Sequence, residues 1–337
     1  MSNVDLHKKA AIISRGGGHL PEEEANYKIL LPKLKVLDIE LGKKVAHGTN
    51  ADIYLNDEIE KIYGRKDLCL KVFWRSKSMW GYKDAGGIST IFESAIAQNL
   101  LAVRGICPRI YDLALIDGKT CFITDYLIGE NKRVEYSDDR FDFYVDDWSR
   151  DHNFIAGKMI DLQGTKLKNY KEYKKHVVKQ MIARNNAHGH TNNLYQSTGY
   201  HSGFRDTKER LARYNFTGFE NKSVLDVGCS NGMMCRTACD LGARRVVGID
   251  WPDMIEFSQE LAILDGYFNI DFYGGDIKSL SGSDLKEMTG IDKFDIHLFL
   301  AMVTHVGWPE WIKNCDTLYF EGHGVNREFK VYHYPKK

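Results

Sequence analysis

The segment Val224–Gly232, VLDVGCSNG, constrains the fold of this chain more than any other stretch of the sequence. Its apolar first half predicts a buried strand, and its small-residue second half predicts a tight turn into a helix that runs through Leu241. From Thr207 to Gly322, strand patterns alternate with helix patterns. This alternation is typical of a doubly wound, mostly parallel α/β sheet, which we predict for residues 205–337.

The same segment has the composition of a ligand-binding turn. A loop of small residues between a strand and a helix lets backbone N–H groups approach a bound group closely. Asp226 stands where a dinucleotide fingerprint normally has glycine, and Asp250 ends the next predicted strand. A carboxylate at that place can accept hydrogen bonds from both hydroxyls of a ribose. Trp251 is placed to cover an adenine ring, and Asp276, which ends the third strand, is placed to accept from an adenine amino group. These residues predict a site for a nucleoside-bearing cofactor.

This set resembles the class I, Rossmann-like methyltransferases over roughly residues 205–323. The resemblance implies S-adenosyl-L-methionine as the cofactor, and it matches Phe294–Met302 to the fourth strand, which ends beside the transferring methyl group. The cofactor-binding residues predicted in this way are Asp226, Gly228, Cys229, Ser230, Gly232, Asp250, Trp251, Asp276, Ile277 and Ala301. Ser230 replaces a usual glycine, which we expect the loop to tolerate, and packing is the alternative role of Cys229. A nucleotide site of another kind is the alternative interpretation of the whole set.

His305 is the predicted catalytic base. Methyl transfer needs an acceptor in line with the sulfonium and, for a hydroxyl or amide acceptor, a group that takes its proton. Thr304 and His305 follow the fourth strand, at the edge where open sheets bind ligands. A helix cap or a positioning group is the alternative role of His305, and Glu321 and His323 are further candidates. The acceptor stays open among a glycan, a phosphate, a small molecule and RNA.

Residues 34–130 have the strand-rich pattern of a smaller α+β lobe with one helix. Lys71 lies in an apolar strand of this lobe, and Glu93 lies on the helix that follows. Together with Gly48–Tyr54, this order resembles the N-terminal lobe of protein kinases and small-molecule kinases, in which a strand lysine holds nucleotide phosphates and pairs with a helix glutamate. The resemblance implies a nucleotide at Lys71 and Glu93, but no matching catalytic loop and no Asp-Phe-Gly follows. A structural ion pair is the alternative.

The remaining segments are assigned as a polar leader at residues 1–33 and a helical and loop connector at residues 131–204. Only 14 residues follow His323, so we expect the class I sheet to be shortened after its fifth strand, with room for one more strand. The leading interpretation is a methyltransferase with a degenerate kinase-like lobe. A cofactor-binding scaffold or sensor without turnover is one alternative, and a bifunctional kinase-methyltransferase is the other.

The overall composition indicates which partners and which cellular compartment the sequence favours. Lys+Arg and Asp+Glu are equal at 46 each, so no net charge draws the chain to nucleic acid or anionic lipid. Nucleic acid is therefore a disfavoured partner, although Tyr195–Leu211 with the core distantly resembles tRNA wobble-uridine modifying enzymes. The first 20 residues lack a signal-peptide core, and the seven cysteines show no metal or disulfide framework. We predict a cytoplasmic protein without membrane association.

Overall fold

A computed structural model describes residues 35–48, 51–73, 88–132, 143–144, 154–160, 166–167, 169–187, 194–197, 203–205, 207–323 and 328–334. The chain divides into two compact units. The first consists of Met1–Tyr170 and Ile263–Phe268, and the second of Lys171–Ala262 and Asn269–Lys337. The predicted leader at residues 1–33 lies outside the described residues.

The first unit contains a six-stranded sheet. Its strands are β1 (Lys35–Leu37), β2 (Lys43–His47), β3 (Ala51–Leu55), β4 (Leu68–Phe73), β5 (Ile110–Ile116) and β6 (Lys119–Asp125). They lie in the order β1-β5-β6-β4-β3-β2, and every pair is antiparallel except β1 with β5. The stretch Leu37–Val45 has the residue pattern of a single strand, but in the structure it contains only the end of β1 and the start of β2.

Two helices belong to this sheet. Helix α1 (Asp57–Tyr63) begins because the Asn56 side chain accepts from the N–H groups of Glu58 and Ile59, and it ends at Gly64, which has a left-handed φ of 67°. The sequence analysis did not predict α1. Helix α2 (Ile88–Ala102) lies between β4 and β5, where the spacing of apolar residues predicted a helix.

Short elements follow this sheet in the chain. They are the strand pieces β7 (Phe143–Tyr144), β8 (Phe154–Ile155), β9 (Lys158–Met159) and β10 (Lys166–Leu167), then helix α3 (Tyr170–Ala187), and then β11 (Leu194–Gln196) and β12 (Gly203–Arg205). Strands β11 and β12 pair in parallel, with Gln196 opposite Arg205. The sequence predicted α3 but predicted a loop after it. The stretch after α3 is rich in Asn, His and Gly, so its pattern does not indicate the three-residue strand β11.

The second unit contains the predicted doubly wound sheet. Its strands are β13 (Ser223–Val227), β14 (Arg245–Asp250), β15 (Ile270–Gly274), β16 (Phe294–Leu300), β17 (Cys315–Glu321) and β18 (Phe329–His333). The order β15-β14-β13-β16-β17-β18 is parallel up to β17, and β18 joins as an antiparallel strand. Strand order reverses between β13 and β16, so the loops after these strands diverge and leave a crevice at their carboxyl ends.

Helices connect the strands of this sheet. They are α4 (Thr207–Arg213), α5 (Met233–Asp240), α6 (Pro252–Leu264), α7 (Gly282–Thr289) and the short α8 (Val303–Val306), with a 3₁₀ turn at Glu310–Lys313. Helix α7 was not predicted, although Ser281 and Asp284 form a capping box at its start. The central strands are buried on both faces, as their continuous apolar sequences require.

None of the cysteines forms a disulfide. Six of the seven are buried, and Cys239 is partly exposed. Cys235 and Cys239 lie one turn apart on α5, but Cys235 donates to Asp226 while Cys239 donates to Asn269. In the part of the chain that the structure describes, no helix has the length and apolar character needed to cross a membrane.

Candidate active site

A cavity of about 470 Å³ lies at the carboxyl ends of the central strands of the second unit. This volume is in the range of pockets that enclose a small-molecule ligand. Seven of its lining residues are predicted site residues: Gly228, Ser230, Asp250, Trp251, Asp276, Ile277 and His305. The fold therefore brings to one cavity predicted residues that lie far apart in the chain.

The loop after β13 forms one wall of the cavity with a strongly curved backbone. Gly228, Ser230 and Gly232 all have positive φ values, of 77°, 50° and 71°. The N–H groups of Gly228 and Cys229 donate to the carbonyl oxygen of Ile249 at 2.9 and 3.1 Å, which ties the loop to β14. Ser230 accepts the left-handed conformation that glycine would take more readily. Its carbonyl oxygen accepts from the Ser258 hydroxyl at 2.8 Å, so packing and hydrogen bonds hold the residue there.

The Asp250 side chain connects this loop to the end of β14 through hydrogen bonds. One carboxylate oxygen accepts from the Ser230 N–H at 2.6 Å, and the other accepts from the Trp251 N–H at 2.8 Å. The two bonds fix the plane of the carboxylate at the cavity wall. Because an ionised carboxylate has about four acceptor sites, both oxygens can accept a further hydrogen bond from a ligand hydroxyl.

One end of the cavity has a flat aromatic ring beside polar groups. Trp251 is 57% exposed and lines the cavity, so its indole is accessible to a ligand. Ile277 is buried and gives this end an apolar floor, whereas Asp276 and Lys278 are exposed at its rim. A planar heterocycle with an exocyclic amino group fits these surroundings, because rings stack on indole and amino groups donate to carboxylate.

The cavity is also lined by Tyr195 from β11 and by three residues that follow β16: Met302, His305 and Val306. His305 lies on α8 with an exposed side chain, and its ring packs edge to face against His323 with the centroids 5.5 Å apart. Glu321, the other candidate, is 1% exposed and forms an ion pair with Arg210 at 2.7 Å. That pairing gives Glu321 a structural contact. The described residues contain no group of three or more His, Cys, Asp or Glu side chains arranged for a metal ion.

Asp226 does not line the cavity. Its side chain is 3% exposed beneath the loop, where one carboxylate oxygen accepts from the Cys235 thiol at 3.3 Å. Burial raises the pKa of Asp226 to about 7, although the thiol hydrogen bond and the charge of Arg210 lower it. The nearby Asp250 carboxylate raises it further. Asp226 therefore contacts helix α5 through Cys235, and its predicted contact with the cofactor stays a prediction.

Three more predicted residues pack behind the cavity wall. A Cβ on Gly232 would lie 2.4 Å from the Phe272 ring, and a Cβ on Gly248 would lie 2.8 Å from the Cys229 sulfur. Gly232 and Cys229 thus fill tight contacts between the loop and the sheet, in agreement with the alternative role of Cys229. Ala301 is buried after β16 with a φ of 61°, a strained conformation that turns the chain into α8.

Sequence reasoning missed several lining residues: Tyr195, Met254, Gly275, Lys278, Met302 and Val306. Proximity in sequence could have found most of them, because Gly275 and Lys278 flank the Asp276–Ile277 pair and Met302 lies beside Ala301. Tyr195 comes from β11, which carries no strong strand pattern. Only the resemblance of Tyr195–Leu211 to RNA-modifying enzymes pointed to that segment.

The Lys71 ammonium of the first unit makes a different contact from the one predicted. It donates to the carbonyl oxygen of Ile160 at 3.0 Å and lies 5.9 Å from the centroid of the Phe73 ring. Glu93 is exposed on α2. Within the described residues, the hydrogen bonds and ion pairs of Lys71 do not include Glu93, the partner that the resemblance predicted. Lys71 therefore joins β4 to the segment around β9.

The second unit contains a methyltransferase domain. The sequence model of the family described as "Methyltransferase domain" matches residues 219–318, from the approach to β13 into β17. This match covers the loop, Asp250, Asp276 and His305, and it confirms the methyltransferase domain that the sequence analysis predicted.

Related proteins match the same region. Protein arginine N-methyltransferase 1 of Saccharomyces cerevisiae is 34% identical over 84 residues, which are 23% of this chain and 24% of the relative. Protein arginine N-methyltransferase 1 of Dictyostelium discoideum is 32% identical over 78 residues, which are 23% of this chain and 21% of the relative. The chain therefore spans about a quarter of the length of these curated relatives. The solved Trypanosoma brucei PRMT1 enzyme-prozyme complex with AdoHcy is 27% identical with a TM-score of 0.22, covering 25% of each chain.

Proposed function

We propose that this chain transfers a methyl group from S-adenosylmethionine to an acceptor bound in the cavity of the second unit. The observation that carries the proposal is the Asp250 carboxylate, which two backbone N–H groups hold at the cavity wall between the curved loop and the exposed Trp251 ring. A fixed carboxylate next to an open aromatic face is what a nucleoside needs, because its two ribose hydroxyls donate and its base stacks.

The residues present fit an adenosyl cofactor. Asp250 would accept from the ribose hydroxyls, Trp251 would cover the base, and Asp276 would accept from the adenine amino group. Gly228 and Ser230 would face the methionine part. S-adenosylmethionine supplies a methyl group on a sulfonium, which an acceptor displaces in line. The protein's own contribution is to hold the two reactants at the correct distance and angle.

His305 is the candidate to take the acceptor's proton. It lines the cavity from α8, which follows the strained Ala301. An exposed imidazole there can accept a proton from a hydroxyl or amide acceptor and pass it to water. The acceptor class stays open here among a glycan, a phosphate, a small molecule and RNA. We also propose a reducing, cytoplasmic setting, because six of the seven cysteines are buried thiols.

The proposal is tested by calorimetric titration of the full chain with S-adenosylmethionine and S-adenosylhomocysteine. Asp250→Asn keeps the size of the side chain but removes the charge and one acceptor, so we expect the Kd to rise about 10- to 100-fold. Asp292→Asn is the matched control, because Asp292 is 80% exposed and pairs only with Lys286 among the ion pairs of the second unit that are described. Equal affinities in all three proteins would remove Asp250 from the site, and the absence of binding to the native chain would refute the proposed cofactor.

For the first unit we propose a structural lobe with a kinase-like arrangement. The antiparallel order β2-β3-β4-β6-β5 with α2 between β4 and β5 supports this arrangement. The hydrogen bond from Lys71 to the Ile160 carbonyl supports a structural role for the lysine. We therefore expect no change in ATP affinity on Lys71→Met. Micromolar ATP binding that this substitution abolishes would instead favour the bifunctional alternative.

A further inference from the structure

The sheet of the second unit ends at β18, whose outer side faces no further strand in the part of the chain that the structure describes. Along an antiparallel pair, successive residues point their N–H and C=O groups alternately toward the partner strand and away from it. The N–H of Tyr334, which follows β18, donates to the carbonyl oxygen of Asp316 on β17 at 2.8 Å. Even-numbered residues therefore face β17, and the groups of Phe329, Val331 and His333 point outward.

The opposite edge of the same sheet is closed by a side chain. β15 is the edge strand there, and the Gln259 amide on α6 bonds to it twice. Its Nε2 donates to the Ile270 carbonyl oxygen at 3.4 Å, and its Oε1 accepts from the Phe272 N–H at 3.3 Å. Within the described ranges, no hydrogen bond reaches the outward N–H and C=O groups of β18. An unpaired edge of this kind is a template for another strand.

The edge strand of the first unit carries features that oppose such pairing. β2 contains Lys43 and Lys44, and a bulge interrupts its register between Lys44 and Ala46. Charged side chains and bulges keep edge strands from joining other chains. β18 holds one lysine, its register with β17 runs without a shift, and its apolar Val331 is 38% exposed. The edge of β18 is therefore the one of these two that is suited to accept another strand.

The outward groups of β18 match a second copy of the same strand. In an antiparallel pair centred on Val331, this residue lies opposite itself, and Phe329 of each copy lies opposite His333 of the other. Facing residues of this type exchange two hydrogen bonds, so the pair uses every outward N–H and C=O group of both strands. The two Val331 side chains lie next to each other at the two-fold axis, where they bury apolar surface that is exposed in the single chain.

The charges of β18 favour the same register. Lys330 of one copy lies opposite Tyr332 of the other, so no like charges face each other and an ammonium group lies beside an aromatic ring. A pair centred on Lys330 would instead place two ammonium groups opposite each other, which is destabilising. Each Lys330 also keeps its own ion pair with Glu328 at 2.6 Å, so the two strands bring little net charge together.

We propose that two copies of this chain associate through β18, so that their second-unit sheets form one continuous sheet across a two-fold axis at Val331. No residue of β18 lines the cavity, so the association is testable whether or not the chain transfers methyl groups. Because two paired strands are a small interface, we expect the dimer to dissociate at micromolar concentrations.

Sedimentation equilibrium of the full chain measures this dimer. Val331→Lys places two ammonium groups together at the axis, so we expect the dimer Kd to rise about tenfold or more. Val45→Lys is the matched control, because Val45 is 37% exposed on the edge strand β2 of the first unit. β18 should keep its place in the variants, since Phe329 stacks on the Tyr214 ring with the centroids 4.1 Å apart and Tyr332 packs against the core.

A second variant tests the register directly. Facing residues that exchange hydrogen bonds have their Cα atoms about 5.5 Å apart, which is within the range that a disulfide spans. Val331→Cys treated with oxidised glutathione should therefore form a covalent dimer, seen by electrophoresis without reductant. The native chain and Val45→Cys, treated in the same way, are the controls and should stay single chains.

The outcomes separate cleanly. A native dimer that Val331→Lys weakens and Val45→Lys keeps, together with the covalent dimer of Val331→Cys, supports the association through β18. A native chain that stays monomeric up to about 100 μM overturns the proposal, and this is also the result if another segment of the chain covers β18. A native dimer that Val331→Lys leaves unchanged has its interface elsewhere and overturns the proposal as well.

Discussion

At the scale of single residues, Asp226 is a carboxyl group that the second unit buries. The side chain is buried beneath the loop, and burial raises the pKa of its carboxyl to about 7. The unfolded chain has the ordinary pKa, near 3.8. Between these values the folded state holds a proton that the unfolded state has lost, so folding becomes less favourable as the pH rises from about 4 to 7.

We predict that Asp226→Asn stabilises the protein above pH 7 and has little effect near pH 4. Asparagine resembles the neutral carboxyl, and its carbonyl oxygen can still accept from the Cys235 thiol. The measurement is the free energy of unfolding in urea at a series of pH values, for both proteins. Parallel curves across the whole range would show that Asp226 keeps an ordinary pKa.

At the scale of elements, the loop between β13 and α5 depends on glycine at its first position. Gly228 has a φ of 77°, and a Cβ there would lie 2.2 Å from the sulfur of Met302, another cavity residue. Gly218 has the same φ of 77°, but a Cβ there would meet nothing within 4 Å. The two glycines therefore separate backbone strain from steric overlap at the cavity.

We predict that Gly218→Ala costs about 1 kcal/mol of stability, because alanine disfavours positive φ. Gly228→Ala should cost at least as much, because its Cβ also overlaps Met302. Only Gly228→Ala should also weaken binding of S-adenosylhomocysteine, by about tenfold or more, since the loop or Met302 must move. Thermal unfolding and calorimetry of both variants provide the comparison. Equal binding in the two variants would contradict a direct role of this loop in the cavity.

Elements with strong patterns were predictable from the sequence, and short elements were not. The strands of the second unit are long apolar runs between clear turns, so β13 to β17 appear where the sequence places them. Helices α1 and α7 have only seven and eight residues, so their signals are limited to the caps: Asn56 and Ser281 at their starts, and Gly64 and Gly290 at their ends. The burial of the Asp226 side chain and the position of Tyr195 at the cavity depend on tertiary packing, which a local residue pattern does not encode.

At the scale of the whole molecule, two buried groups change stability with pH in opposite directions. His297 is 2% exposed, and burial lowers the pKa of its imidazole to about 4. The neutral ring donates from Nδ1 to the Ile312 carbonyl oxygen at 2.7 Å. The unfolded chain binds a proton near pH 6.5, so the contribution of His297 is lost as the pH falls from 6.5 towards 4. In that range Asp226 changes stability the other way.

We predict that the native protein has a flatter pH–stability curve between pH 4 and 6.5 than either single variant. His297→Gln, whose amide can still donate to the Ile312 carbonyl, should become more stable towards acid relative to the native chain. Asp226→Asn should lose stability towards acid more steeply than the native chain. Urea unfolding of the native chain, the two variants and the double variant checks this. Similar slopes in all four proteins would contradict opposing titrations.

The buried thiols can also report local unfolding of either unit. Burial raises the pKa of Cys69 and Cys121 in the first unit, and of Cys315 in the second, to about 12, and that of Cys229 to about 11. The thiolate is the nucleophile that reacts with alkylating reagents, so these cysteines do not react at neutral pH while their surroundings remain folded. Because each unit has its own set, the order in which peptides become labelled records which unit exposes its interior first, without any engineered probe.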